Sequence, residues 1–294
     1  MHFVLLWLLS YCLLSHCAAV ESPSLLRKRS RKQDIAIVAG ESGRNSQYFC
    51  DSNQVAAIQR SIMWMNLYAK SAYDFLYEDA SETTSAFIGW FGATNVDKVT
   101  YIRTEVYDPI EALGSSAKWF VAELEDLEET LVIGCGTVRN TDDCRARGTH
   151  LVANKLKNTI TVCPSYFFNN GAVASEEAEE QSASTWTLQR KLLPAAGFAL
   201  LHEVTHIPGV VGDFEYWTDQ LASADHAYPP SECINLPDLR KLNNAQNYAL
   251  FALDVRTNPA FTSKQVDMNA KDQDPKQFAL RWLRNGVNGR TESP

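Results

Sequence analysis

From Asp51 to Tyr77 the apolar positions Val55, Ile58, Ile62, Met65, Leu67 and Tyr68 recur at mixed three- and four-residue steps, the spacing of one helical face. This predicts a long amphipathic helix with its aromatic and methionine stripe in the core, capped by Asp51 or Ser52. A second helical region is expected over Asn95 to Glu129, broken near Pro109 to Gly114, with Glu123, Glu125, Asp126, Glu128 and Glu129 on a solvated face. At Thr130 the pattern shortens. TLVIGC, HLVAN and TITVC are brief β-prone runs, which predict a small sheet of two to four strands. The stretch SYFFNNGAVASEEAEEQSAS after Pro164 reads as a loop whose aromatic start packs and whose acidic middle stays in water.

Within Leu192 to Gly209 the run Ala195, Ala196, Phe198, Ala199, Leu200 and Leu201 is apolar on nearly every side, so a buried central helix is predicted there, with Pro194 in its first turn and Pro208 and Gly209 ending it. A last helix is expected over Leu239 to Arg256, burying Leu242, Ala245, Ala249, Leu250 and Leu253. Beyond Asn258 the chain turns polar, with one short helical possibility at Gln277 to Leu283. The fold class expected is α+β, mainly α, around one central helix.

Composition adds an address. The 294 residues are 45% hydrophobic and 11% aromatic, ample for a packed core. Met1 to Ala19 holds an apolar run from Phe3 to Leu14 and then small residues, too short to span a bilayer; it reads as a secretory signal peptide. Residues 20–32 contain Arg27-Lys28-Arg29-Ser30-Arg31-Lys32 and read as a short pro-segment or basic processing region. Residues 33–257 are then one domain and residues 258–294 a polar extension. The expected product is secreted, extracellular, monomeric and free of a membrane anchor. Without the first 32 residues, 22 basic residues stand against 34 acidic ones, a formal charge of −12. So acidic a chain is a poor partner for nucleic acid.

Five of the seven cysteines follow the signal: Cys50, Cys135, Cys144, Cys163 and Cys233. Export favours disulfides, and the preferred pairing is Cys50–Cys135 and Cys144–Cys163 with Cys233 left over, although spacing does not fix connectivity. The absence of C-x-x-C spacing argues against a thiolate zinc site, and no N-x-S/T acceptor is present for N-glycosylation.

The chemistry concentrates in His202-Glu203-Val204-Thr205-His206, an H-E-x-x-H run. Residues four apart on a helix share a face, so both imidazoles can reach one metal ion, and Glu203 is placed to take a proton from a metal-activated water. Catalytic zinc normally has three protein ligands and leaves a fourth position open. A metzincin's third histidine would fall at position 212, which is Gly212, so that class is excluded. The third ligand is sought among Asp213, Glu215, Asp219, Asp225 and His226, of which Asp213 and Asp225 each open a D-x-x-Y frame, with Tyr216 and Tyr228.

HEVTHIPGVV, a following D-x-x-Y and NNAQNYALFA together resemble the deuterolysin, or aspzincin, family of secreted fungal zinc endopeptidases. The resemblance runs from about Phe49 to Thr257 and implies a zincin-like fold, with one Zn2+ per chain held by His202, His206 and an aspartate. It further implies Glu203 as general base and the tyrosine of D-x-x-Y as a donor to the oxyanion. Neither frame here has the family's preceding Gly-Thr or following Gly. Asp225 with Tyr228 is preferred because Tyr228 to Leu242 runs into NNAQ with the family's spacing, and Asp213 with Tyr216 stays as the alternative. The function expected is a zinc metalloendopeptidase acting on protein or peptide substrates. The alternative is a secreted zinc-binding protein with vestigial activity that works by binding a partner, which the departures around both frames would suit.

Overall fold

The structure is a computed structural model that describes residues 34–40, 48–119, 130–136, 143–145, 149–168, 174–211, 223–258 and 262–267. The chain divides into Met1–Arg31 and a compact unit Lys32–Pro294, and all described residues lie in the latter. The expected signal peptide, the basic segment and the helix at 277–283 therefore lie outside them. Among the described residues the architecture is mainly helical with one small sheet, and no helix is long and apolar enough to cross a membrane.

Five strands form the sheet: β1 (Ile35–Ala39), β2 (Ser115–Trp119), β3 (Leu131–Cys135), β4 (Leu151–Asn154) and β5 (Thr159–Val162), in the order β2-β1-β3-β5-β4. All neighbours are parallel except the edge strand β4, which runs antiparallel to β5. The runs IAIVA and LVIGC are buried along their whole length, as strands covered on both faces require. The three β-prone runs found in the sequence became β3, β4 and β5, but β1 and β2 went unread. Ser115–Trp119, SSAKW, carries no strand signal of its own and lies where helix was expected. It is a strand because Ile35–Ala39, distant in sequence, pairs with it residue for residue. The expected helical region is interrupted: helical turns of 3-10, α and π type run from Ala93–Lys98 to Asp108–Glu111, the chain then extends into β2, and residues 120–129, with the acidic positions expected on a solvated face, lie outside the described residues.

Helix α1 (Ser52–Tyr77) matches the predicted span. Asp51 Oδ1 accepts from Asn53 N and Gln54 N at 2.9 Å each, and Gln54 Oε1 accepts from Asp51 N at 2.9 Å, so three backbone donors at the helix start are satisfied by a reciprocal pair of side chains. Helix α2 (Ser85–Phe91) follows, capped by Thr84. Residues 262–267, in the expected polar extension, return to this point, where Ser85 N donates to Lys264 O and Val266 N to Thr83 O.

The stretch read as a solvated loop is helix α3 (Glu176–Gln189). Ser175 Oγ accepts from Ala178 N at 3.2 Å, and Glu176, Glu177 and Glu179 stand in the first turn, where negative charge suits the helix dipole. Glu176, Glu177 and Glu180 are exposed as expected, so the departure is the helix itself and the one buried acid. Glu179 is 1% exposed, and its carboxylate accepts from Tyr68 OH of α1 and from Gly197 N.

That second contact matters for helix α4 (Ala196–Val204), the predicted central helix. Its N-cap is Ala195, which has no side-chain acceptor, and Pro194 lies before the helix instead of in its first turn. The carboxylate of Glu179 takes over the capping, from another helix. Gly197 lets α4 approach α1 closely: a Cβ there would lie 2.5 Å from Trp64 Cβ. The last expected helix is broken in two, preceded by α5 (Pro230–Asn235): α6 (Asp238–Leu242) and α7 (Ala245–Thr257) are separated at Asn243 and Asn244. The backbone there pairs with Ala224, whose N–H donates to Asn243 O and whose carbonyl accepts from Ala245 N. Both preferred disulfides are present, Cys50–Cys135 with Cα atoms 5.0 Å apart and Cys144–Cys163 at 5.3 Å, and Cys233 is free and buried.

Burial raises the Glu179 carboxyl to about 7, against the hydrogen bonds from Gly197 and Tyr68, which lower it. A folded value above the unfolded one, which is near 4.5, means that the folded protein holds an extra proton between these limits. This contribution to stability is therefore complete below about pH 4.5 and is lost as pH rises through about 7. Glu179→Gln keeps an acceptor for Gly197 and removes the titration. Denaturant melts at about pH 5 and about pH 8 should show a smaller loss of stability in this variant than in the wild type, and equal losses would contradict the assignment. Glu179→Ala leaves a buried N–H unpaired and should cost about 1–3 kcal/mol at either pH.

Candidate metal centre

His202 lies in the last turn of α4 and His206 in the turn that follows, both nearly inaccessible at 5% and 2% exposure. His206 N donates to Glu203 O at 3.1 Å, a tightened turn that keeps His206 on the face of His202 after the α-helix has ended. The two rings meet edge to face with centroids 5.0 Å apart, and their Nε2 atoms are separated by 3.3 Å.

The carboxylate that meets them is Asp225. Its Oδ1 lies 3.1 Å from His202 Nε2 and 3.2 Å from His206 Nε2. Burial would raise this carboxyl, but the two imidazole contacts outweigh it and hold the group well below the usual carboxylate range. His226, next in sequence, is not part of the cluster. The other candidates Asp213, Glu215 and Asp219, and Tyr216 of the alternative frame, lie outside the described residues.

Each imidazole is held from behind by a residue that the sequence reading did not single out. Gln246 Oε1, on α7, accepts from His202 Nδ1 at 2.8 Å. Ser223 O accepts from His206 Nδ1 at 3.0 Å, and Ser223 Oγ is 2.9 Å from the same nitrogen while donating to Thr205 O. The Lys155 ammonium, in the β4–β5 turn, donates to the same Ser223 carbonyl. With Nδ1 protonated, a neutral imidazole presents a lone pair at Nε2 and an imidazolium presents an N–H there, and in either form Nε2 faces the Asp225 oxygen. The signal available in sequence was the polar content of NNAQN inside an otherwise apolar helix; a buried amide needs a partner, and here the partner is a histidine.

Glu203 sits beside this cluster, and its Oε2 accepts from Ala153 N of the edge strand at 2.9 Å. Burial raises its carboxyl, and the neighbouring histidines partly offset this. Tyr228 is 55% exposed and lies over His202, with ring centroids 5.6 Å apart and planes 25° from parallel. Burial of its hydroxyl and the nearby Asp225 carboxylate, to which it is hydrogen-bonded, push the phenol well above its ordinary value. A cavity of about 510 Å³ opens beside Glu203, His202 and Tyr228, with Leu193, Pro194 and Phe198 among its apolar walls.

In their neutral forms the two imidazoles bring Nε2 lone pairs to the same point as the carboxylate oxygen. Bonds of about 2.0–2.2 Å at tetrahedral angles would space zinc ligands roughly 3.3–3.6 Å apart. The observed separations of 3.1, 3.2 and 3.3 Å are close to this, and the donor set, two imidazoles and one carboxylate, suits zinc. His202, His206 and Asp225 are thus a group that could hold a metal ion.

No protein-family profile matches the chain. Short stretches match named fungal proteins. The "Neutral protease 2 homolog MEP6" of Coccidioides posadasii (strain C735) is 39% identical over 71 residues, 24% of this chain and 18% of the relative. A "Neutral protease 2 homolog" of Arthroderma gypseum (strain ATCC MYA-4604 / CBS 118893) is 29% identical over 102 residues, 35% of this chain and 21% of the relative. The chain thus spans about a fifth of the length of these relatives. Among solved structures, a zinc peptidase from Grifola frondosa aligns with 72% of this chain and 99% of its own, at a TM-score of 0.44 and 16% identity. The resemblance to the deuterolysin (aspzincin) family carried by the chain's own motifs is also the resemblance that its curated relatives show.

Proposed function

We propose that the protein is a secreted zinc-dependent metalloendopeptidase, with His202, His206 and Asp225 as metal ligands, Glu203 as general base and Tyr228 as the donor to the oxyanion. The observation that carries this reading is the approach of Asp225 Oδ1 to both Nε2 atoms, at 3.1 and 3.2 Å, beside an apolar cavity. The neutral protease relatives support it at the level of the family, and the two disulfides fit an extracellular protein.

Zinc held there would supply a Lewis acid that polarises the scissile carbonyl and makes a neighbouring water more acidic. The chain's own residues do the rest. Glu203 accepts the proton of the attacking water and delivers it to the departing amine; burial, which raises its carboxyl, brings it closer to the range in which it can both take and give a proton. The bond from Ala153 N holds one carboxylate oxygen and leaves the other for this work. The Tyr228 hydroxyl, kept protonated by its surroundings, turns from Asp225 towards the charge that develops on the carbonyl oxygen. The cavity walls exclude water and receive part of the substrate. Protein or peptide chains are the substrates this machinery suits.

Glu203→Gln should keep one zinc per chain and lower casein hydrolysis by about 10²-fold or more. Wild-type turnover in that variant would refute the assigned base. Tyr228→Phe should lose about 10²-fold in kcat with zinc content unchanged. Treatment with a chelator should abolish cleavage, and added zinc should restore it. A fully zinc-loaded wild type that cleaves no protein substrate would favour a binding role instead.

A further inference from the structure

We propose that the corner Asn244-Ala245-Gln246, where α6 gives way to α7, is the positioning device of the metal centre, and that Gln246 orients His202 through a neutral acceptor. The proposal rests on the metal-site reading above. Its basis is a set of contacts that reference two of the three ligand side chains to one helix start.

Gln246 is 4% exposed and its Oε1 lies 2.8 Å from His202 Nδ1. This one bond fixes the ring's rotation and its tautomer, and so the direction in which Nε2 points. Two residues earlier, Asn244 is fully buried, and its Oδ1 accepts from His226 N at 2.8 Å and Ala227 N at 3.3 Å. Its Nδ2 donates to Ala227 O at 3.1 Å and to Asn247 Oδ1 at 2.6 Å. Between Asn243 and Ala245 the backbone grips Ala224, at 2.8 and 3.0 Å. Asp225 is therefore held on both sides, at Ala224 and at His226 and Ala227, by the same few residues that hold His202. The helix break at Asn243 and Asn244 frees the backbone groups that make this grip possible.

The chemistry of the orienting groups is distinctive. An amide oxygen stands behind His202, and a backbone carbonyl with a hydroxyl behind His206; among the described residues neither imidazole has a carboxylate there. A carboxylate behind a ligating histidine orients it and also raises its basicity, whereas a neutral acceptor supplies chiefly the orientation. Replacing Gln246 by glutamate should therefore tighten metal binding, and replacing it by methionine, similar in reach but with no comparable acceptor, should loosen it. A merely structural role predicts the opposite order, because a buried carboxylate costs stability and a buried thioether does not.

The test is zinc affinity, measured on the processed chain by competition with a chromophoric chelator, for the wild type, Gln246→Met and Gln246→Glu. Thermal melting of the metal-free proteins serves as the control for folding. We expect one zinc per wild-type chain, binding weaker by about 10–100-fold in Gln246→Met, and binding at least as tight as the wild type in Gln246→Glu. Folded Gln246→Met that binds within about threefold of a zinc-loaded wild type would overturn the positioning role and leave the metal-site reading intact, since outer partners of metal ligands typically matter by more. If Gln246→Met fails to melt cooperatively, Gln246→Glu decides alone: weaker binding than the wild type overturns the proposal. A wild type that takes up no zinc overturns both.

Discussion

Two imidazole nitrogens and a carboxylate oxygen lie within 3.3 Å of one another at the end of a buried helix. Both imidazoles are buried while Asp225 keeps contact with solvent, and such a cluster is repulsive unless a cation or protons occupy it. Protons on the imidazoles bond to the Asp225 carboxylate, which holds that carboxyl far below its usual range and raises His202 despite a burial that alone would lower it. A fold that builds this cluster must hold it together from outside, and much of the surrounding structure can be understood as doing so.

The restraint comes from several directions. Helix α4 is pressed against α1 through Gly197 and capped by the carboxylate of Glu179, so the end that bears the histidines projects from a fixed base. The edge strand β4 supplies Ala153 N to Glu203, and the turn after it supplies Lys155 to the carbonyl of Ser223. The break between α6 and α7 grips the segment around Asp225 and sends Gln246 to His202. Sheet, long helix and broken helix thus meet at one short stretch, and the cavity forms where they leave space.

Much of this was legible in the sequence, for physical reasons that differ by element. The span of α1 could be read because helical periodicity is a local signal, and of the two cap candidates, Asp51 and Ser52, it is Asp51 that caps the helix. The runs that became β3, β4 and β5 were short and apolar enough to be found. By contrast, β2 exists only through its pairing with β1, and α3 was hidden by an acidic composition that in fact serves its first turn. At the centre, the spacing of His202, Glu203 and His206 carries its meaning within five residues. Asp225 was one of several acidic residues in a long loop, and its place beside the histidines is a tertiary fact. Gln246 and Ser223 left almost no local trace, since their role is to satisfy nitrogens that sequence does not show as buried.

The most direct measurement is a crystal structure of the zinc-loaded protein with anomalous scattering recorded at the zinc edge. The account predicts one strong anomalous peak, with His202 Nε2, His206 Nε2 and a carboxylate oxygen of Asp225 each about 2.0–2.2 Å from it and a further position left open. A peak bound elsewhere, or one between the two histidines with Asp225 turned away and another carboxylate in its place, would contradict it.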